Sequence, residues 1–175
     1  MKHPELLSLH SVSDLRISPG TSRCAFLVHT PCEAENNYET HLYVSDFTVS
    51  YPIGMSGITS FAWVDDAALA VGRPSADSTQ FALLSLKDGS EGTGWNIPFD
   101  ARIEGWVLGQ LLISARRPIT EEKAQEDGSW TILDELPIWE DGEGYRAKIR
   151  RQLFLCSYGG QPIRISPEEM DVRIV

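Results

Sequence analysis

Val28-His-Thr-Pro31 ends a short apolar run, and the same kind of ending returns as Val71-Gly-Arg-Pro74 and Ala115-Arg-Arg-Pro118. The three prolines lie 43 and 44 residues apart. A repeat of about 40 to 50 residues built from short strands is typical of the blades of a β-propeller, whereas solenoids of this period are helical. The spacing therefore predicts successive blade-like units.

Short apolar runs rich in β-branched and aromatic residues dominate the chain, and Gly, Pro, Asp and Ser separate them. No stretch carries a clear helical stripe. These runs predict an all-β protein with strands near residues 23–28, 41–45, 67–71, 80–85, 111–114 and 152–156.

A second echo supports the repeat, because Tyr51-Pro-Ile-Gly-Met-Ser56 resembles Gln161-Pro-Ile-Arg-Ile-Ser166 and each leads into the next unit. We predict a partial propeller of about three four-stranded antiparallel blades over residues 12–55, 56–99 and 100–165. Some twenty extra residues lie between the second and third strands of the third blade. Residues 166–175 would start a fourth blade.

The charge balance limits the partners of the chain. With 25 acidic residues against 15 Lys and Arg, the formal net charge is -10, so we expect no nucleic acid and no anionic membrane as a partner. The N-terminus has no signal-peptide core and no stretch is long and apolar enough for a membrane span. We expect a cytoplasmic protein.

The cysteines and histidines do not suggest a metal site or a cofactor. Cys24, Cys32 and Cys156 are an odd number without metal-ligand spacing, so we expect them to be reduced, with Cys24 and Cys156 in the core. The histidines are isolated from one another in sequence. We therefore predict no metal ligands, no cofactor and no catalytic residues in this chain.

The acidic stretch Thr131–Arg146 reads TILDELPIWEDGEGYR. We interpret residues 131–136 as a strand that ends at 137–139, residues 140–144 as a glycine-containing turn, and residues 145–149 as the approach to the next strand. A substrate-side or domain-docking surface is an alternative, and its residues would be Glu135, Trp139 and Arg146. A metal site fits less well, because the calcium-loop pattern is absent.

Two further groups of residues have alternative interpretations. Trp63 and Trp106 are predicted to start the second strand of successive blades and to pack between blades, and Trp139 to be partly exposed. The basic residues around the acidic stretch predict solvated cross-strand ion pairs, or else cations that hold a peptide carboxylate; they are Arg116, Arg117, Arg146, Lys148, Arg150 and Arg151.

With the blades assigned, the chain resembles the N-terminal propeller of the prolyl oligopeptidase family of serine peptidases, particularly its acylaminoacyl-peptidase-like branch. The resemblance rests on Asp14–Val28, Asn37–Asp46 and Ile58–Trp63, and most specifically on Leu133–Gly144, which reads LDELPIWEDGEG. In that family the propeller caps an α/β-hydrolase domain that carries a Ser-Asp-His triad. The resemblance thus implies a hydrolase domain and a peptide substrate as partners.

No part of the chain matches the hydrolase domain itself. A Gly-x-Ser-x-Gly nucleophile motif is absent, and the nearest approach, Gly54-Met-Ser-Gly57, lacks one residue. We therefore expect a noncatalytic N-terminal propeller portion that controls substrate access to the hydrolase domain of a longer peptidase. The alternative is a free-standing propeller that scaffolds other proteins. Exposed blade edges, with Asp171–Val175 as an added strand, predict self-association.

Overall fold

The computed structural model describes residues 9–34, 36–54, 56–119, 138–140, 144–146 and 148–172. Within these ranges the chain forms strands and turns and no helix, which confirms the all-β prediction. It follows that the described residues include no helix capable of spanning a membrane.

The described strands form three four-stranded antiparallel sheets, one after the other along the chain. Sheet 1 consists of β1 (Ser11–Ile17), β2 (Cys24–Cys32), β3 (Asn37–Ser45) and β4 (Ser50–Pro52). Sheet 2 consists of β5 (Ser60–Asp65), β6 (Ala68–Ser75), β7 (Ser78–Ser85) and β8 (Trp95–Ile97). Sheet 3 consists of β9 (Arg102–Val107), β10 (Gln110–Pro118), β13 (Ile149–Cys156) and β14 (Ile163–Arg164). A separate two-stranded hairpin, β11 (Ile138–Glu140) and β12 (Gly144–Arg146), follows β10 and precedes β13 in the sequence.

The sequence repeats occupy equivalent strands of these sheets. Pro31, Pro74 and Pro118 lie at or next to the end of the second strand of their sheets, where the ladder is about to finish and proline is tolerated. The Tyr51–Ser56 and Gln161–Ser166 echoes contain residues of the fourth strands β4 and β14. The predicted fold of blade-like four-stranded sheets is confirmed.

Sheet 2 is covered on both faces, which explains why β6 reads as an uninterrupted apolar run. Leu69 and Val71 are fully buried against sheet 1, whereas Ala70 and Phe81 are buried on the other face against sheet 3. Successive residues of a strand point to opposite faces, so a strand between two sheets needs apolar residues at every position.

Two apolar layers hold the three sheets together. The layer between sheets 1 and 2 contains Ala25, Leu27, Leu42, Val44, Ile53, Ile58, Phe61, Trp63, Leu69, Val71, Ala82 and Leu84. The layer between sheets 2 and 3 contains Ala62, Ala70, Phe81, Ile97, Ala101, Ile103, Leu111, Ile113, Ala115, Phe154 and Cys156. Face-to-face packing of consecutive sheets is the packing mode of propeller blades.

The first strands of the sheets, β1, β5 and β9, follow one another along a common inner edge, with β1 beside β5 and β5 beside β9. Each of these three first strands has a register shift where it pairs with the second strand of its sheet. The shift lies between Ser13 and Arg16 in β1, between Trp63 and Asp65 in β5, and next to Gly105 in β9. Such bulges bend a strand and turn side chains in new directions. Along the inner edge, side chains therefore do not alternate regularly between the two faces of the sheet.

The structure corrects the predicted position of two tryptophans. Trp63 lies in β5 and Trp106 in β9, so both belong to the first strand of their sheets and not to the start of the second. The repeated prolines predict where the second strands end. The bulged first strands have no regular alternation of apolar and polar residues that would show where they begin. Trp63 is nevertheless buried between sheets 1 and 2, as predicted.

The structure also revises the strand limits in the acidic stretch. Ile138, Trp139 and Glu140 form the described strand β11, so the strand includes Glu140 rather than ending by residue 139. Tyr145 lies opposite Trp139 in β12. A hairpin is thus present, but Glu140 and Gly144, which were predicted to lie in its turn, belong to its strands; residues 131–137 and 141–143 lie outside the described ranges.

Candidate functional site

Four charged residues on the inner edge form a polar contact between sheets, and we call them the inner-strand cluster: Asp14, Arg16, Arg102 and Glu104. Asp14 and Arg16 belong to β1, and Arg102 and Glu104 to β9. Arg102 Nη2 donates to both carboxylate oxygens of Asp14 at 2.6 Å. The cluster thus joins sheet 1 directly to sheet 3, across the inner strand of sheet 2.

Arg16 makes the second link in the same direction. Its Nη1 donates to the backbone carbonyl of Glu104 at 2.8 Å, and its Nη2 donates to that of Ile103 at 3.4 Å. The guanidinium lies 5.5 Å from the ring centroid of Phe61 on the strand between them, a distance that allows a cation–π attraction. Arg16 therefore contacts all three sheets.

Burial and charge act on Arg16 in opposite directions. Burial lowers the pKa of the guanidinium, because desolvation penalises its charged form, whereas the nearby carboxylates of Asp14 and Glu104 act to raise that pKa. Glu104 is held in turn by Ser114, whose Oγ donates to Glu104 Oε1 at 2.5 Å. The carboxylates of Asp14 and Glu104 and the guanidinium groups of Arg16 and Arg102 thus form one network of opposite charges.

The bulges supply the geometry of this cluster. Asp14 lies within the register shift of β1 and has a φ of 53°, a left-handed conformation that Asp adopts more readily than most residues. Glu104 lies at the corresponding irregularity of β9, between the paired residues Ile103 and Gly105. Both carboxylates are therefore placed by an interruption of the strand rather than by its regular pleat.

Sheets 1 and 2 are joined by further polar contacts along the same edge. Trp63 Nε1 donates to the carbonyl of Arg16 at 3.0 Å. At the turn after β1, the backbone N–H of Gly20 donates to Asp66 Oδ1 at 2.7 Å. A Cβ on Gly20 would lie 2.8 Å from that oxygen and closer still to Oδ2, so a larger residue here would displace the Asp66 carboxylate. The Pro19-Gly20 turn thus fits closely against sheet 2.

Sequence reasoning did not find the inner-strand cluster. Asp14 and Arg102 are 88 positions apart, and no local pattern connects them. The sequence signal that could have indicated the cluster is weak. In both β1 and β9, charged residues alternate with apolar ones, whereas the neighbouring strands are apolar.

The three residues predicted for a substrate-side or docking surface are only partly described. Glu135 lies outside the described residues. Trp139 and Arg146 lie in β11 and β12, where Arg146 is opposite Ile138, and the description of these strands is limited to their backbone. This prediction therefore remains a prediction.

The basic residues near the hairpin are arranged differently from the predicted cross-strand ion pairs. In the β10–β13 ladder Arg116 lies opposite Arg151, and Arg117 lies opposite Arg150. Arg117 places its guanidinium 4.8 Å from the ring centroid of Phe99, while Arg150 Nε donates to the carbonyl of Glu169 at 3.2 Å. The direct cross-strand partners thus carry like charges.

A serine–histidine contact is present among the described residues of sheet 1. Ser13 Oγ lies 2.8 Å from His29 Nε2, and His29 Nδ1 lies 3.0 Å from Thr40 Oγ1. A triad would need an acid where Thr40 stands, to orient the imidazole and stabilise its cation. We interpret this row as a structural hydrogen-bond chain across three strands.

The described residues contain no group of three or more His, Cys, Asp or Glu side chains arranged to hold a metal ion. The three cysteines are free thiols, with Cys24 and Cys156 buried and Cys32 partly exposed. Burial raises the pKa of the Cys156 thiol, an effect that a contact with Trp95 partly offsets. Cys156 is thus a core residue rather than a nucleophile.

Apolar side chains are exposed at both ends of the row of sheets. On β1, Val12, Leu15 and Ile17 are each about 60% exposed. On the outermost strand of sheet 3, Ile163 is 68% exposed. In the layers between sheets such residues are covered by the next sheet, so the two ends of this row present surfaces of the kind that a further sheet covers.

No family model and no curated protein sequence matches this chain. Solved structures do match. An acylaminoacyl peptidase in complex with Z-Gly-Gly-Phe-chloromethyl ketone superposes with a TM-score of 0.66 at 16% identity, over 89% of this chain and 24% of the peptidase. Uncomplexed acylaminoacyl peptidase from Pyrococcus horikoshii gives 0.64 at 16% identity, over 87% and 24%.

The β-propeller domain of the Trilobed protease from Pyrococcus furiosus also matches, with a TM-score of 0.52 at 13% identity, over 89% of this chain and 43% of that domain. The chain spans about a quarter of the length of the acylaminoacyl peptidases that it matches. At these identities the likeness concerns the fold. Three face-packed four-stranded sheets and these neighbours together identify the chain as a partial β-propeller.

Proposed function

We propose that this chain is the noncatalytic N-terminal propeller portion of a serine peptidase that cleaves short peptides or acylaminoacyl peptides. One observation carries the proposal: nearly all of this chain superposes on a quarter of an acylaminoacyl peptidase. The resemblance of Leu133–Gly144 to the same family is an independent support from the sequence. The partner of the propeller is then an α/β-hydrolase domain.

The role of the propeller in this proposal is to restrict which substrates reach the hydrolase domain. The inner-strand cluster supports such a role, because Asp14, Arg16 and Arg102 tie the inner strands of sheets 1 and 3 together. An inner edge closed by charged, hydrogen-bonded side chains resists widening. A short peptide could pass along it, whereas a folded protein could not.

The reading frame beyond codon 175 and the activity of the isolated chain test this proposal together. We expect the frame to continue through further blade repeats to a Gly-x-Ser-x-Gly motif, and the isolated chain to show no labelling by a fluorophosphonate probe. A stop codon followed by an unrelated gene would favour the free-standing scaffold instead. Covalent labelling of a serine within residues 1–175 would contradict the noncatalytic assignment.

We further propose that the isolated chain self-associates through its exposed ends. Val12, Leu15 and Ile17 on β1 and Ile163 on β14 are all more than half exposed. Each Å² of apolar surface buried contributes about 25 cal/mol before the cost of association. Sedimentation should show a dimer or larger species that Ile163→Glu weakens. A compact monomer at high concentration would contradict self-association without affecting the peptidase assignment.

A cytoplasmic location is part of the same proposal. It is supported by the free state of Cys24, Cys32 and Cys156, since reducing compartments keep thiols unpaired. Fractionation of the source cells with an antibody against this chain tests it, and recovery in an extracellular fraction would contradict it.

A further inference from the structure

The outer edge of β13 is partly covered by a strand and partly by an irregular segment. β13 has eight residues, whereas β14 has two, which pair with Phe154 and Leu155. The part of β13 from residue 149 to residue 153 therefore has no described strand beside it on this edge. Residues 165–172 run along that part and bind it by hydrogen bonds, and we call them the strap. The strap thus lies where a longer fourth strand would lie.

A proline explains why the fourth strand is short. Leu155 lies opposite Ile163 in the antiparallel pair of β13 and β14. Continuing this register places Pro167 opposite Arg151. A strand residue at that position has to donate its N–H to the carbonyl of Arg151, and proline has no N–H. The N–H of Val172 donates to this carbonyl instead, at 2.9 Å, so the chain leaves the edge near Pro167 and returns at Val172.

Two side chains of the strap accept hydrogen bonds that a strand would accept with its backbone. The N–H of Leu153 donates to Ser166 Oγ at 3.0 Å, and the N–H of Arg151 donates to Asp171 Oδ1 at 2.8 Å. In a regular antiparallel ladder, each of these N–H groups donates to the carbonyl of the residue that faces it. The strap therefore imitates a strand, and a regular strand satisfies the same groups of β13 with its backbone alone.

The strap is packed less closely than the segment that follows the fourth strand of sheet 1. There, the N–H groups of Ile53 and Gly57 donate to carbonyls of β3, and Ile53 and Ile58 are buried between sheets 1 and 2. None of the residues 165–172, all of which the structure describes, is buried, and Ile165 and Met170 are at least half exposed. Segments with few buried apolar contacts open at a low cost in free energy. The strap can therefore leave β13 without disturbing an apolar layer.

The strap is acidic, and it contacts basic residues of sheet 3. It contains Glu168, Glu169 and Asp171 and no Lys or Arg. Glu168 Oε2 lies 3.0 Å from Arg164 Nη1. The carbonyl of Glu169 accepts a hydrogen bond from Arg150 Nε at 3.2 Å. Because opposite charges on neighbouring strands stabilise a sheet, an acidic segment is the kind that replaces the strap with the least loss of these contacts.

We propose that the outer edge of β13 binds an extended acidic segment of another polypeptide, and that the strap is an autoinhibitory contact which occupies this edge until the segment displaces it. The segment adds as a strand, and its backbone makes the bonds that Ser166, Asp171 and Val172 otherwise make. Its carboxylates meet Arg150 and Arg164. Addition of a strand to a sheet edge is a general mode of peptide recognition. This interaction does not depend on the assignment of the chain to a peptidase.

Fluorescence anisotropy of three labelled peptides tests the chemistry of the bound segment. The acidic probe is Thr-Val-Glu-Glu-Val-Thr-amide with fluorescein at its N-terminus. One control peptide has lysine in place of both glutamates. The other has methyl groups on alternate backbone nitrogens, which removes donors that a strand needs. We expect both controls to bind about tenfold or more weakly than the acidic probe, and equal binding of the acidic probe and either control would overturn the proposal.

A variant with a weakened strap tests the autoinhibition. Ser166→Ala combined with Asp171→Ala removes both side-chain acceptors and should bind the acidic probe about tenfold or more tightly than the parent, because the edge is then free for a larger fraction of the time. Ser75→Ala combined with Asp77→Ala is the matched control: it makes the same change in composition at exposed positions around the end of β6 and should stay within about twofold of the parent. A strap variant that binds no more tightly than this control, or that shows no saturable binding up to about 1 mM, would contradict the proposal.

Amide hydrogen exchange locates the bound probe. In the strap variant, the acidic probe should slow the exchange of the Arg151 and Leu153 amides about tenfold or more and leave the amide of Leu27 in sheet 1 unchanged. Binding without slower exchange at Arg151 and Leu153 would show that the probe lies elsewhere and that the proposal is wrong. Thermal melts check that the fold is retained. If the double variant does not fold, Asp171→Ala alone gives the same test, since Asp171 is exposed.

Discussion

Arg102 on the inner strand of sheet 3 donates hydrogen bonds to Asp14 on the inner strand of sheet 1, with Nη2 at 2.6 Å from both carboxylate oxygens. Sheet 2 lies between these two sheets, so the contact is not between neighbours in the row. It shows that the inner edges converge closely enough for side chains to bridge across a whole sheet. The proposed restriction of substrate access depends on this convergence.

Substitution of Asp14 separates the ion pair from the backbone conformation. Arg102 is about half exposed, so Asp14→Asn should lower the free energy of unfolding by less than about 1 kcal/mol. Asp14→Ala should lower it by about 1 kcal/mol more, because alanine tolerates the φ of 53° poorly. Urea unfolding measures both, and equal losses for the two variants would show that the backbone conformation contributes nothing.

The apolar layers between sheets should dominate stability. Leu69 is fully buried between sheets 1 and 2, so Leu69→Ala should lower the free energy of unfolding by about 2 to 5 kcal/mol, a large part of the 5 to 15 kcal/mol that is typical in total. Leu108→Ala is the control, since Leu108 is 98% exposed and its loss should change stability by less than about 0.5 kcal/mol. Similar effects of the two variants would contradict the described packing.

The turn between β9 and β10 contains an unfavourable residue that can be improved. Leu108 and Gly109 form a two-residue connection in which both have positive φ, 50° and 79°, the pattern of a type I′ turn, which favours Asn-Gly. Leu108→Asn should therefore raise the free energy of unfolding by about 0.5 to 1 kcal/mol. Leu108→Ala serves again as the control, and an Asn variant no more stable than the Ala variant would contradict this turn geometry.

Asp46 should make stability depend on acid pH. The backbone N–H groups of Val49 and Thr48 donate to its carboxylate, and these bonds lower its pKa below the ordinary 3.8. Because the folded-state pKa is the lower one, the stabilisation is present above the ordinary value and is lost as the pH falls through the folded-state value.

Asp46→Asn is the matched variant, since its amide oxygen can still accept these bonds while carrying no charge. Urea unfolding midpoints of the parent and the variant should differ near neutral pH and converge as the pH falls below the ordinary 3.8 and through the lower folded-state value. A difference that does not change with pH would show that the carboxylate charge is not responsible.

The repeating features of the chain could be read from the sequence because each has a local cause. Pro31, Pro74 and Pro118 mark strand ends for steric reasons that hold in any context. The run around Leu69 is apolar at every position because sheet 2 is covered on both faces. Periodicity and punctuation therefore sufficed for the all-β class and the four-stranded units.

The inner edge could not be read in the same way. Its strands are bulged, so the sequence predicts the wrong strand of the sheet for Trp63 and for Trp106. The Asp14–Arg102 contact depends on how three sheets curve around one edge. Arg116 and Arg117 were expected to face acids, because sequence alone does not give the register that places Arg151 and Arg150 opposite them. Register and inter-sheet geometry are tertiary properties.

The most direct test of the central claim is to examine the native protein rather than the isolated chain. An antibody against residues 9–119 should precipitate from the source cells a polypeptide much larger than 19.5 kDa, and a fluorophosphonate probe should label it on a serine outside this chain. Recovery of a 19.5 kDa species alone, unlabelled and without any associated serine hydrolase, would contradict the assignment of this propeller to a peptidase.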